Sequence, residues 1–193
     1  MNRDQRVRDN WALIAAAETA QREHRQMRVV FCVAPTFGGS TERAYDFMIR
    51  GLIEVERQLA QRHIPFDVLL GRAPEVLPAY LEQRSVGMLY TDFSPLRLMR
   101  TWRETIAQKA ACPVIEVDAH NIVPCWVASQ KQEYGAYTLR PKLHRLLPRF
   151  LTEFPDLPTF SVSHAVTAPC DWEAVRKSLR VDTSVSPITW IEP

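Results

Sequence analysis

Arg28-Val-Val-Phe-Cys-Val33, running into Ala34-Pro-Thr-Phe-Gly-Gly39, decides the fold. A short, continuous, β-branched apolar run reads as a strand buried on both faces, as strands of parallel sheets are, and the Pro and Gly residues after it end it in a loop. An amphipathic helix follows from about Thr41 to Arg62, where Ala44, Phe47, Met48, Gly51, Leu52, Val55 and Leu59 recur at steps of three and four. Strand, loop and helix in that order are half of a βαβ unit, and the rest of the chain repeats the alternation.

Downstream, Phe66 to Leu70 is a second strand, Pro74 to Arg84 a weaker helix, and Val86-Gly-Met-Leu-Tyr-Thr91 a third strand leading into Asp92-Phe-Ser-Pro-Leu96. Ser94 before Pro95 predicts a helix start, since serine caps and proline suits the first helical position; Met99, Trp102 and Ile106 mark that helix's buried face. Val114-Ile-Glu-Val-Asp118 is the fourth strand. Upstream, Asp9 to about Arg25 reads as a helix capped by Asp9, with Leu13, Ile14 and Ala17 on one face. Alternation at this spacing implies right-handed crossovers and a Rossmann-like, doubly wound, mostly parallel sheet flanked by helices over residues 1–150. Residues 151–193 have a higher proline content and little periodicity apart from a short helix around Asp171 to Leu179, and read as a linker-like tail.

The chain has 193 residues, 46% hydrophobic and 24% charged, which is the core of one ordinary domain. A net charge of +2 leaves no bulk footprint for nucleic acid and no polybasic membrane anchor. The four cysteines form no CxxC pair, and no apolar run approaches the roughly 18 residues that cross a bilayer, so the expectation is a cytoplasmic protein with reduced thiols and no membrane partner.

Ligands of doubly wound folds bind beyond the carboxyl ends of the strands. That rim carries Pro35, Thr36, Phe37, Gly38, Gly39, Arg72, Asp92, Phe93, His120 and Asn121. Phe37 beside two glycines offers a ring for a planar heterocycle, or else a turn with one core aromatic. No GxGxxG or GxxxxGK[ST] follows any strand, so a dinucleotide or P-loop site has no support. Ser94, His120 and Asp118 or Asp92 suggest a hydrolase trio, but Ser94 is accounted for as a helix cap and there is no GxSxG elbow. His120 with Cys112 and Cys125 lacks zinc spacing, and no metal is expected. The basic run Arg140 to Arg149, preceded by Trp126, Tyr134 and Tyr137, is either a phosphate-facing surface or the solvated face of a helix that buries Leu143, Leu146 and Leu147. The charges of Arg3, Asp4, Arg6 and Asp9 read most simply as a network fixing the entry to the first helix.

Several blocks carry a resemblance. Asn2-Arg-Asp-Gln-Arg-Val-Arg-Asp-Asn-Trp-Ala-Leu13, Val33-Ala-Pro-Thr-Phe37, Thr91-Asp-Phe-Ser-Pro-Leu-Arg97, Glu116-Val-Asp-Ala-His-Asn-Ile-Val-Pro-Cys-Trp-Val127, Lys131-Gln-Glu-Tyr-Gly135 and Arg140-Pro-Lys-Leu-His-Arg-Leu-Leu-Pro148 together resemble the class II cyclobutane pyrimidine dimer photolyases. The likeness runs from residue 2 to about Val185, and Asp171-Trp-Glu and Ser178-Leu-Arg-Val-Asp182 match the stretch leading out of that family's N-terminal domain. It implies an antenna domain of the photolyase and cryptochrome superfamily, with a five-stranded Rossmann-like sheet that can hold a deazaflavin or a folate. Excitation passes to FAD, which donates an electron to a pyrimidine dimer flipped out of DNA and takes it back after the ring splits.

The resemblance sets further expectations. The family's FAD lies in a helical C-terminal domain that this sequence does not contain, so the chain alone is expected to have no catalytic residues, no independent DNA binding and no repair activity, and its partner would be a separate FAD-binding photolyase domain. The family also has a strand just before the stretch matching Asn2-Arg-Asp-Gln; in the strand order 3-2-1-4-5 it is central, and Ile188-Thr-Trp-Ile191 is a candidate filler. By the same analogy an antenna chromophore, 8-hydroxy-deazaflavin ahead of folate, would sit against Pro35, Thr36 and Phe37 with Tyr45 and Met48 in reach. Two other readings stand beside this one: an orphan nucleotide-binding or protein-docking module, and an inactive fragment of a split photolyase gene. In the latter an exposed apolar face including Trp126, Leu146, Leu147 and Trp172 would drive homo-oligomers.

Overall fold

A computed structural model describes residues 1–161 and 168–191. The elements are α1 (Trp11–Arg22), β1 (Val29–Val33), α2 (Glu42–Ala60), β2 (Phe66–Leu70), α3 (Ala73–Gln83), β3 (Leu89–Asp92), α4 (Arg97–Lys109), β4 (Val114–Val117), α5 (Cys125–Ala128), α6 (Ala136–Phe150) and α7 (Trp172–Ser178). The α/β alternation is as expected, and both strand pairs are parallel. β1 pairs with β2 from Val29 opposite Phe66 to Val33 opposite Leu70. β3 pairs with β4 from Leu89 opposite Val114 to Asp92 opposite Val117.

Among the described residues the strands form two separate parallel pairs, and no ladder joins them. Helices hold the halves together. On one side, Leu13, Ala17 and Ala20 of α1 and Ile49, Leu52, Val55 and Leu59 of α2 bury Val29, Phe31 and Val33. The Thr19 and Tyr90 hydroxyls, 2.8 Å apart, tie α1 to β3. On the other side, Leu77 and Leu81 of α3 and Ile106 of α4 pack over Val30, Cys32, Leu69 and Leu89.

Local details differ from the sequence reading in three places. Asn10, not Asp9, caps α1: its side-chain oxygen accepts from the Leu13 amide at 3.1 Å, while Asp9 has φ 52° and its carbonyl accepts from the Arg6 guanidinium. The helix after β3 begins at Arg97 and not at Ser94, because the Phe93 amide is still bonded to Val117 O and Leu96 is extended. The Ile188–Ile191 segment does not fill the sheet. The Arg50 guanidinium of α2 donates to the carbonyls of Ile188 and Ile191, which leaves the segment on the outer face of that helix.

The residues after α6 return to the core. Leu157 and Val175 are buried, Trp172 stacks on Phe66 at 6.2 Å, and the Asp171 side chain caps α7 at the Ala174 amide. Arg180 N donates to Pro35 O, and Thr41 bridges Asp182, so the tail passes directly beside the loop after β1.

Candidate functional site

The carboxyl ends of the four strands form one rim, and its polar residues divide into those spent on structure and those left facing outward. Asp92, buried at the end of β3, accepts the backbone N–H groups of Arg3 and of Asp4, the latter at 2.7 Å, and so pins the first residues of the chain. Asn10 extends the arrangement by donating to the carbonyls of Asp4 and Arg6. Asp118, equally buried, accepts from the amides of His120, Asn121 and Cys125 and shapes the loop after β4. His120 bonds the Arg3 guanidinium at 2.8 Å and lies 3.7 Å from Asp4.

The hydrolase trio therefore does not form. Ser94 is buried, both carboxylates serve backbone amides, and among the described residues no hydrogen bond joins Ser94 to His120. The four cysteines are free, and burial raises the pKa of each thiol, to about 11 for Cys32 and about 12 for Cys170, the opposite of what a nucleophilic thiolate needs. Among the described residues no group of three His, Cys, Asp or Glu side chains is placed to hold a metal.

The outward-facing part of the rim is aromatic and cationic. Phe37 is 37% exposed and meets Trp102 of α4 edge-on, with centroids 5.9 Å apart; the Arg72 guanidinium, from the loop after β2, lies 5.2 Å over the Trp102 ring. Gly38 and Gly39 both have positive φ, and a side chain at either would meet nothing within 4 Å, so the loop turns tightly and leaves open space beside Phe37. The two rings stand at 73° to each other and Arg72 covers a face of Trp102, so the rim offers the exposed Phe37 ring with a cation held on its neighbour, which suits a planar or anionic ring.

The sequence-predicted site residues fall into two layers. Thr36 and Phe37 are exposed and Pro35 half-buried at the rim, while Tyr45 lies beneath them, buried, its hydroxyl donating to Ala34 O at 2.7 Å. Burial raises the Tyr45 pKa, which keeps that hydroxyl a donor. Met48 is half-buried against the α2 side of the core, so Tyr45 and Met48 support the loop from below. The step of three from Met99 makes Trp102 a buried position of its helix, and nothing local in the sequence shows that α4 carries it to the rim.

A second surface is built by α5 and α6. Glu133 and Lys142 form an ion pair, Ser129 O–H donates to Glu133, and these contacts hold the Glu133 carboxyl down at about 2. Arg140, Arg145 and Arg149 are exposed on α6, and Tyr134 and Tyr137 are 89% and 83% exposed. No residue of α6 is fully buried: Leu143, Leu146 and Leu147 are only half-covered, and Trp126 of α5, edge-on to Phe93 at 5.5 Å, is largely exposed. Trp172 does not join that exposed face; it is seated on Phe66. No helix among the described residues is long and apolar enough to cross a membrane.

The chain is 48% identical over its whole length to the deoxyribodipyrimidine photo-lyase of Potorous tridactylus and 39% identical over its whole length to that of Arabidopsis thaliana. It spans 37% and 40% of the length of those two relatives. Among solved structures, the archaeal photolyase of Sulfolobus tokodaii, described with two FAD molecules and an implied novel light-harvesting cofactor, matches 96% of this chain and 43% of its own with a TM-score of 0.66 at 16% identity. At that identity the likeness establishes a shared fold. The family model for DNA photolyase matches residues 1–159, and with the two curated relatives it establishes that the chain belongs to the DNA photolyase family, whose N-terminal α/β domain it forms.

Proposed function

We propose that the chain is the light-harvesting domain of a class II deoxyribodipyrimidine photolyase and contributes to light-dependent repair of pyrimidine dimers only together with an FAD-binding catalytic domain. The observation that carries the antenna reading is the Phe37, Trp102 and Arg72 platform on the rim, open beside Gly38 and Gly39. These residues fit a planar chromophore: Phe37 and Trp102 supply ring contacts, and the guanidinium of Arg72 supplies charge for an anionic ring system. 8-Hydroxy-deazaflavin is preferred to folate because a compact, anionic tricycle matches a short platform with one cation. When bound, the chromophore would absorb near-ultraviolet to blue light; the protein's part is to orient it and shield one face from water.

The exposed apolar surface of Trp126, Ile122, Leu146 and Leu147 is assigned to contact with the FAD-binding domain. The four free thiols accord with a cytoplasmic setting. The test is reconstitution of the purified chain with 8-hydroxy-deazaflavin and, separately, with a reduced folate. The expected result is a blue-absorbing band that co-elutes with the protein, quenched tryptophan fluorescence, and affinity lowered about tenfold in Phe37→Ala, the loss of roughly one aromatic contact. Binding of neither chromophore, or unchanged affinity in Phe37→Ala, would overturn the antenna reading and favour a docking module.

A further inference from the structure

We infer that the groove at the amino ends of β1 and β2, at the other end of the strands from the rim, is an anion site that takes a small phosphate monoester with a sugar-sized body. The groove encloses about 360 Å³ and is lined by the end of α1 and its link to β1, by the link from α2 to β2, and by residues 159–161. His24, Arg25 and His63 line it, and among the described residues no carboxylate does. Neither the His24 imidazole nor the Arg25 guanidinium has a hydrogen bond or ion pair among the described residues. His63 is committed on one side only: Nδ1 lies 2.7 Å from Phe160 O. A carbonyl only accepts, so Nδ1 carries the proton and Nε2 is left for a ligand.

The backbone brings the two imidazoles to one place. Both helices end in the same pattern: His24 N–H donates to Gln21 O and Arg25 N–H to Ala20 O, while His63 N–H donates to Ala60 O and Ile64 N–H to Leu59 O. His24 and His63 hold the equivalent left-handed position, at φ 51° and 56°, where glycine is the usual residue. α3 closes in the same way with Ser85 at φ 49°, so the turn itself requires no imidazole. Two histidines held in a costly conformation beside one groove therefore point to a use for their rings. The same bonds occupy the last carbonyls of both helices, so no bare helix end repels an anion there. One guanidinium and two imidazoles, as three separate partners, suit a group with three terminal oxygens better than a carboxylate with two. His63 serves either protonation state: as imidazolium it donates from Nε2, and as the neutral ring it accepts from a monoprotonated phosphate. Gln21 and Gln26 offer amides to hydroxyl groups, buried Met27 and half-buried Phe160 supply apolar contact, and the volume exceeds what a lone phosphate fills. Phe160 N–H donates to Arg62 O and its carbonyl meets His63, so an occupant would hold the start of the tail against both helix ends.

The experiment is calorimetric titration of the full chain with ribose 5-phosphate, inorganic phosphate and ribose. Ribose 5-phosphate should bind saturably, inorganic phosphate more weakly and ribose not at all, and the Phe160 amide should exchange more slowly in the presence of ribose 5-phosphate. Arg25→Gln and His24→Gly should each lower the affinity about tenfold, the loss of one charge-assisted contact. His24→Gly separates a ligand role from a structural one. Glycine relieves the left-handed backbone, so this variant should melt no lower than the parent and yet bind more weakly. The site is overturned by the absence of ribose 5-phosphate binding below ~10 mM, by an affinity no better than that of inorganic phosphate, or by undiminished binding in both variants. Uptake of Zn²⁺ in place of any phosphate, abolished by His24→Gly, would make the two imidazoles a metal site and overturn the anion assignment. None of the probes carries an aromatic ring, and groove and rim lie at opposite ends of the strands, so this proposal and the antenna reading stand or fall separately.

Discussion

Two hydrogen bonds govern what the loop after β1 can present. Tyr45 O–H to Ala34 O from below, and Arg180 N–H to Pro35 O from the side, hold the backbone so that Phe37 projects while Pro35 does not. Its neighbour on the rim depends on Gly71. That residue has φ 138°, a region that essentially only glycine visits, and a Cβ there would stand 2.5 Å from Val76 Cγ1. Gly71→Ala is expected to destabilise the protein by about 1–3 kcal/mol, lowering the melting temperature in thermal unfolding by several degrees. It should also weaken any rim ligand, because Arg72 follows directly. A melting temperature within a degree of the parent would mean that the turn relaxes freely. The position of the Pro35–Phe37 loop was legible in the sequence, since a buried strand followed by Pro and Gly can only exit at the rim. Trp102 was not, because the period that places a residue on the inner face of a helix is the same whether that face meets core or meets another loop.

Among the elements, the strands and the first four helices follow from apolar spacing, and their starts were least legible. The caps show why: Asp9 and Ser94 have the right chemistry, but one is twisted by the Arg6 contact and the other is held back by a ladder bond. α5 and α6 are joined by polar contacts, not by a buried face, and their coupling is correspondingly sensitive to pH. The Glu133 carboxyl is depressed to about 2, chiefly by its bond from Lys142 and then by Ser129 and Thr138. A depressed carboxyl contributes its stability above its unfolded pKa of about 4.3, and loses it as pH falls through the folded value. The α5–α6 contact should therefore weaken progressively from about pH 4.3 downward and be lost by about pH 2. Fluorescence of Trp126 should report the release, and Glu133→Gln should show the released signal at neutral pH with no further acid step in this window. An unaltered acid step in the variant would assign the transition to other carboxylates.

Across the whole molecule, the tail is what local pattern could least announce. Leu157, Cys170, Trp172 and Val175 have no common period, and they reach the core only because the chain doubles back over α2 and β2. Glu56, in the middle of α2, anchors that return with both oxygens: Oε1 accepts the Cys170 amide and Oε2 the Trp172 indole N–H, each at 2.7 Å. Trp172 can then stack on Phe66, and Arg180 can reach the rim loop through Pro35. A carboxylate holding two donors at once connects the tail, the sheet and the candidate ligand site, so its loss should be felt at a distance. Glu56→Ala leaves both donors without a partner and is expected to cost about 1–3 kcal/mol. Limited proteolysis should then cut within residues 168–191 well before the parent is cut, and chromophore affinity at Phe37 should fall although Glu56 touches no ligand. Glu56→Gln keeps an acceptor for one donor and should fall between the two. If the tail stays resistant to protease in Glu56→Ala, the apolar contacts of Trp172 and Val175 alone hold it, and the rim loop does not depend on this carboxylate.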